Sequence, residues 1–167
     1  VHRLDRETSG LMMFAKSENI KSTLQNAWKD IVTERGYYAI VEGKPKDTVG
    51  TISSFLYESD AMKVHSSFDP RDGVKAITHY SLLQSNKHYS LLKVNLETGK
   101  KNQIRVHMQE LGNPVIGDKK YGAKTNPINR LGLHAFSLGF KHPLTREDIS
   151  IETKLPLKFR RLMESES

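Results

Sequence analysis

His2-Arg3-Leu4-Asp5-Arg6 places one carboxylate between two guanidinium groups, just ahead of Thr8-Ser9-Gly10 and an apolar run. Nearby positive charge favours the ionised carboxylate. An ionised aspartate on a short loop can act as nucleophile or base. The same five residues also describe a surface ion-pair ladder, which is common and weakly stabilising.

A second chemically dense stretch is 98–122, TGKKNQIRVHMQELGNPVIGDKKYG. Thr98-Gly99 makes a turn, and basic and amide side chains then precede a helical pattern whose first N–H groups could hold a phosphate. Gly112, Pro114 and Gly117 specify a tight return, equally the mark of a well-made helix-to-strand connection. Tyr37 and Tyr38, beside Arg35, could stack on a base, although paired tyrosines in a strand also serve core and cross-strand packing. The seven histidines show no ligand-pair spacing, and there is no cysteine, so neither a zinc site nor thiol chemistry is expected. Neither a Gly-rich phosphate loop with its lysine nor a G-x-S-x-G elbow occurs.

The elements that must position these residues follow from periodicity. The run 9–16 reads as a short buried strand. Ser17 caps a helix with apolar positions Ile20, Leu24, Ala27, Trp28 and Ile31. Strands are expected over 37–42, 49–58, 74–84, 89–96, 131–140 and 149–153, with a turn-rich loop at 69–73. The pattern predicts a helix over 103–111, ended by Gly112 and Pro114. A last helix begins near Pro156 and buries Leu157, Leu162 and Phe159. Several strands with few helices and no regular βαβ alternation indicate an α+β fold with a mixed, largely antiparallel sheet flanked by helices.

With 167 residues the chain is one domain that can bury a core unaided. Lys plus Arg is 26 against 19 Asp plus Glu, a formal charge of +7. No stretch reaches the ~20 apolar residues of a membrane helix. The positive excess is concentrated at Lys100, Lys101, Arg105, Lys119, Lys120 and Lys124, and again at Lys154, Lys158, Arg160 and Arg161, which suits a polyanion.

Taken together, HRLDRETSGLMMFAK (2–16), RGYYAIVEG (35–43), DGVKAITHY (72–80), the 98–122 stretch and RLGLHAFSLGFKHPLT (130–145) closely resemble, in order, the motifs of RluA-type pseudouridine synthases. The resemblance implies the pseudouridine synthase catalytic-domain fold, over residues 1–167, and isomerisation of uridine to pseudouridine in ribosomal or transfer RNA. It implies no cofactor, no metal, no membrane, a cytoplasmic location and a monomeric intact protein. Asp5 falls on the catalytic aspartate, Tyr37 on the tyrosine that stacks on the uracil, and Arg105 on the arginine that pairs with the aspartate. Ile104 falls in the base pocket. Arg3 and Arg6 fall on the flanking arginines, which together with Lys100, Lys101, Asn102, Lys119 and Lys120 would contact RNA.

The chain departs from the family pattern at Lys100-Lys101-Asn102, where Arg-Thr-His is usual, at Asn113, and at Arg35 in place of Lys. Lysine keeps the charge but loses the bidentate geometry of arginine. These substitutions leave a catalytically inactive RNA-binding domain on the same scaffold as the alternative. Family catalytic domains carry strands before the aspartate, and many carry an S4-like domain before those. A partial domain with an incomplete sheet, uncovered apolar surface near Leu11 and Met13, and weak activity is therefore the expectation. An Arg105 nitrogen should lie within ~4 Å of Asp5 if the loop is ordered as in the family; otherwise Arg105 meets Glu110 or solvent.

Overall fold

The computed structural model describes residues 1–165. Its strands are β1 (Ser9–Gly10), β2 (Val32–Glu42), β3 (Val49–Glu58), β4 (Val64–Ser67), β5 (Val74–Ser85), β6 (Tyr89–Leu96), β7 (Leu133–Lys141) and β8 (Asp148–Glu152). Its helices are α1 (Glu18–Ile31), α2 (Gln103–Leu111) and α3 (Leu157–Ser165). One sheet runs in the order β1-β7-β2-β6-β5-β3-β4, with β8 also on β7. All its pairings are antiparallel except β1 with β7. No helix among the described residues is long and apolar enough to cross a membrane.

The two-residue period of β2 sorts the core. Ala39 and Val41 face one side with Leu92, Val94, Ile104 and Met108, so α2 covers that face. Ile40 faces the other side with Leu91, Ile116, Phe159 and Met163, so α3 covers that one. Each large apolar side chain removed from water contributes about 1.5–3 kcal/mol. Ser17 caps α1 through the Ile20 N–H, and Gly112 ends α2 with φ +90°.

Three expectations need correction. The run 9–16 is a strand only at Ser9–Gly10. The Leu11 N–H still donates to the Ala135 carbonyl, but from Ser137 to Lys141 that edge of β7 is paired with β8. The ladder position is taken, so the run leaves the sheet. Leu11 and Met13 are half-buried, while Met12 and Phe14 (78% exposed) carry the uncovered apolar surface. Strand β4 was not anticipated, because four residues give no periodicity and its hairpin depends on Met62 at φ +59°. In α3 the core-facing pair is Phe159 and Met163, four apart, whereas Leu157 is exposed and Leu162 half-buried.

Candidate active site

Asp5 lies on the loop that enters β1. The Thr8 N–H donates to the Asp5 carbonyl at 3.0 Å, and Glu7 takes a φ of +70° to close this turn. Gly10, at φ +122°, lets the strand press onto the backbone of Ala135, where a Cβ would collide. The loop thereby hangs Asp5 over the face covered by α2, at a cleft of about 1110 Å³.

Three elements converge on this carboxylate. Arg105, at the third position of α2, brings Nη1 to 3.9 Å from Asp5 Oδ2. The backbone N–H of Asn102, just before α2, faces Asp5 and favours its charged form. Asn102 holds the left-handed conformation, φ +55°, which aims that N–H. From β2, Tyr37 lines the cleft together with Ile104, while Tyr38 turns to the opposite face and stacks on Phe136 with ring centroids 4.0 Å apart. Period two thus separates the adjacent tyrosines into one cleft residue and one core residue.

Arg105 is held chiefly by Asp118, which follows Gly117 in the turn beyond α2. Its Nε and Nη2 donate to the two Asp118 oxygens at 2.9 and 2.8 Å. Its Nη1 donates to Asn102 Oδ1 at 3.1 Å, and the guanidinium lies 4.9 Å from the Tyr121 ring centroid. The Tyr121 hydroxyl accepts from Asn102 Nδ2 and from the Val64 N–H, which ties the cluster to β4. Such a planar fork on a carboxylate fixes the guanidinium in direction as well as place. The spacing Gly117-Asp118-x-x-Tyr121-Gly122, present in the matched motif, was the signal for both residues.

Burial raises the pKa of Asp5 above the ordinary aspartate value, and the Asp118 charge pushes the same way; Arg105, the Asn102 N–H and Lys101 oppose them. The cations that favour its charged form are Arg105 and Lys101, not its sequence neighbours Arg3 and Arg6. Arg3 and Arg6 stand exposed on the cleft wall. Burial, then the Asp5 charge, pushes the Tyr37 phenol up to about 12, against the pull of Arg35. Tyr37 is therefore a neutral ring at physiological pH.

The expected RNA contacts separate in space. Lys100, Lys101 and Lys120 line the cleft, and Lys119 is exposed outside its lining. Lys101 is paired with Glu58 at 3.1 Å, and Lys120 Nζ donates to the Met62 carbonyl at 3.0 Å. Asn102 also lines the cleft, but it is 5% exposed and its side chain bonds Arg105 and Tyr121. At the start of α2, where a phosphate is expected, the Gln103 N–H donates to the Lys100 carbonyl and the Asn102 N–H faces Asp5. Asn113 is buried and donates to the Glu42 carbonyl, a structural bond.

The fold defines a class: the chain superposes on human RNA pseudouridylate synthase domain containing 4 with a TM-score of 0.77 at 25% identity, covering 98% of this chain and 73% of that one. Human RNA pseudouridylate synthase domain containing 1 gives 0.79 at 24% identity, over 93% and 68%, a likeness of fold. The family model described as RNA pseudouridylate synthase matches residues 1–110. The chain is 40% identical over 166 residues to the uncharacterized RNA pseudouridine synthase YlyB of Bacillus subtilis, covering 99% of this chain and 54% of that protein. It is 39% identical over 165 residues to the ribosomal large subunit pseudouridine synthase C of Rickettsia prowazekii, over 96% and 54%. The chain belongs to the RNA pseudouridylate synthase family, in its RluA-type branch. It spans about half the length of these curated relatives.

Proposed function

We propose that this protein isomerises uridine to pseudouridine in RNA, with Asp5 as the reacting carboxylate. The observation that carries this reading is Asp5 held 3.9 Å from Arg105 in a cleft shared with the Tyr37 ring and walled by basic side chains. The reaction breaks the bond from ribose C1′ to uracil N1, turns the base and joins C5 to C1′. An ionised Asp5 can attack C1′, as a retaining glycosidase nucleophile does, or remove a proton from C2′. Arg105 favours the ionised form of Asp5, and its grip on Asp118 keeps it in place through the reaction. The detached uracil needs a surface that holds it while it turns, and the neutral ring of Tyr37 beside Ile104 supplies one. The target nucleotide must leave its stack to reach Asp5. In this reading Arg3, Arg6, Lys100 and Lys101, which line the cleft, contact the phosphates flanking the extruded nucleotide, and the exposed Lys119 and Lys120 extend that positive surface. The likeness to ribosomal large subunit pseudouridine synthases favours ribosomal RNA over transfer RNA as the substrate class, and a cytoplasmic monomer suits either.

Release of tritium from RNA labelled at uridine C5 tests this reading. Wild-type protein should release it and Asp5→Asn should not, while RNA affinity stays within about threefold, because binding rests on phosphate contacts made elsewhere. Tight RNA binding by the wild type without release would instead establish a non-catalytic RNA-binding domain.

A further inference from the structure

Behind the Asp5 loop lies a polar cluster for which the chemistry above has no use. The Arg130 guanidinium, at the approach to β7, donates from Nη2 to Ser9 Oγ at 2.9 Å, to the Leu133 carbonyl at 2.8 Å and to the Glu7 carbonyl at 3.4 Å. Its Nε donates to the Leu131 carbonyl at 2.9 Å. Ser9 Oγ also lies 2.7 Å from His134 Nδ1, and His134 Nε2 lies 2.7 Å from Thr153 Oγ1. Phe159 of α3 underlies both ends, 5.2 Å from the Arg130 guanidinium and 6.3 Å from the His134 ring.

We propose that Arg130, Ser9 and His134 form a positioning relay that fixes the Asp5 loop against β7, so that the reach of Asp5 to its substrate is set from the far side of the loop. This rests on the reading of Asp5 as the reacting group. Glu7, two residues beyond Asp5, is in the left-handed region, a conformation that a non-glycine residue holds only when its surroundings over-determine it. The parallel β1–β7 pairing is two residues long, and β8 takes the rest of that edge. So short a ladder leaves the loop's register to side chains. Arg130 meets the need because Nη2 reaches the Glu7 carbonyl, Ser9 and the Leu133 carbonyl while Nε, in the same rigid plane, is anchored to the Leu131 carbonyl; a lysine has no second nitrogen to fix the direction of the first.

Proton bookkeeping around Ser9 is consistent. Its oxygen accepts from Arg130, which leaves its O–H to donate to His134 Nδ1, and the imidazole N–H on Nε2 then donates to Thr153. Burial and the Arg130 charge both lower the His134 pKa, in keeping with that neutral ring.

The test pairs steady-state kinetics with amide hydrogen exchange on Ser9→Ala, Ser9→Thr, Arg130→Lys and Arg130→Met. In Ser9→Ala and both Arg130 variants, kcat for tritium release should fall about 10- to 100-fold with KM within threefold, as expected when a reacting group is misplaced and the binding surface is not. Ser9→Thr, which keeps the hydroxyl, should recover most of the loss. The Thr8 amide, bonded to the Asp5 carbonyl, should exchange at least tenfold faster in the damaged variants while β2 and β6 amides stay protected. Wild-type exchange at Thr8 in Ser9→Ala and Arg130→Met would overturn the relay, as would a uniform rise across β2 and β6, which would make these residues part of general stability. Absence of turnover in the wild type would defeat the reading of Asp5 and leave the exchange measurements to judge the relay by themselves.

Discussion

Asp5 is poised between opposing influences. Burial lifts its pKa while Arg105 draws it down, so the charged form that either chemical route needs depends on that guanidinium. The acid limb of the pH–rate profile should therefore lie above the ordinary aspartate value near 3.8. Arg105→Met should move the limb further toward neutral pH, since it removes a charge that lowers the pKa. A limb unmoved in Arg105→Met would show that Asp5 is not the titrating group. Asp118 has a different signature. Its side chain is 1% exposed and receives both arms of Arg105. Asp118→Ala should cost roughly 3–5 kcal/mol in chemical denaturation, the usual penalty for stranding a buried charge. An arginine is visible in any sequence. That Asp118 holds it, thirteen residues on, is visible only once α2 and the following turn are folded together.

At the scale of elements, α2 serves the site with its first turn and the core with its remainder. His107, one turn below Gln103, is fully buried, its nitrogens 2.9 Å from Ser54 Oγ on β3 and 2.7 Å from Thr78 Oγ1 on β5. Burial depresses its pKa to about 4 from 6.5. The unfolded chain then binds a proton at His107 below pH 6.5 that the folded protein refuses until near pH 4. Stability from this group is fully present above 6.5 and is lost as pH falls through that window, by about 3 kcal/mol at 1.36 kcal/mol per pKa unit. Urea midpoints at pH 7 and pH 4.5 should differ by less in His107→Gln than in the wild type. Equal pH sensitivity in the two would assign the acid lability elsewhere. On the other face, Phe159→Ala should cost about 3–5 kcal/mol, because the ring is fully buried against Ile40 and Ile116. Thermal melts measure this.

Across the whole molecule, charge decides how RNA would be met. The net charge is +7, yet Lys101 is partly neutralised by Glu58. RNA affinity should fall steeply with salt, and Lys100→Ala with Lys101→Ala should flatten the slope of log K against log salt by about one to two units. Glu58→Gln should tighten binding at low salt by freeing Lys101. Filter binding across a salt series checks both, and an unchanged slope would place that patch away from the RNA.

The sequence by itself determined the elements whose signals are local. The bounds of β3, β6 and α2 follow from alternation, helical spacing and the glycine at the end of α2, and the choice of Tyr37 over Tyr38 follows from the family resemblance alone. The order of five motifs determined the family. What only tertiary structure decided depends on residues far apart in the chain. Two segments compete for one edge of β7, and the pairing of 137–141 with β8 sends the apolar run after Gly10 out of the sheet. Asn102, by resemblance an RNA contact, turns inward, its side chain bonded to Tyr121 and Arg105. The approach of Arg105 to Asp5, expected from the family resemblance, is made real because β1 and α2 are brought to the same cleft. Periodicity reports which face of an element is apolar; which partner that face or edge meets is settled by closure of the sheet, where each ladder position can be filled once.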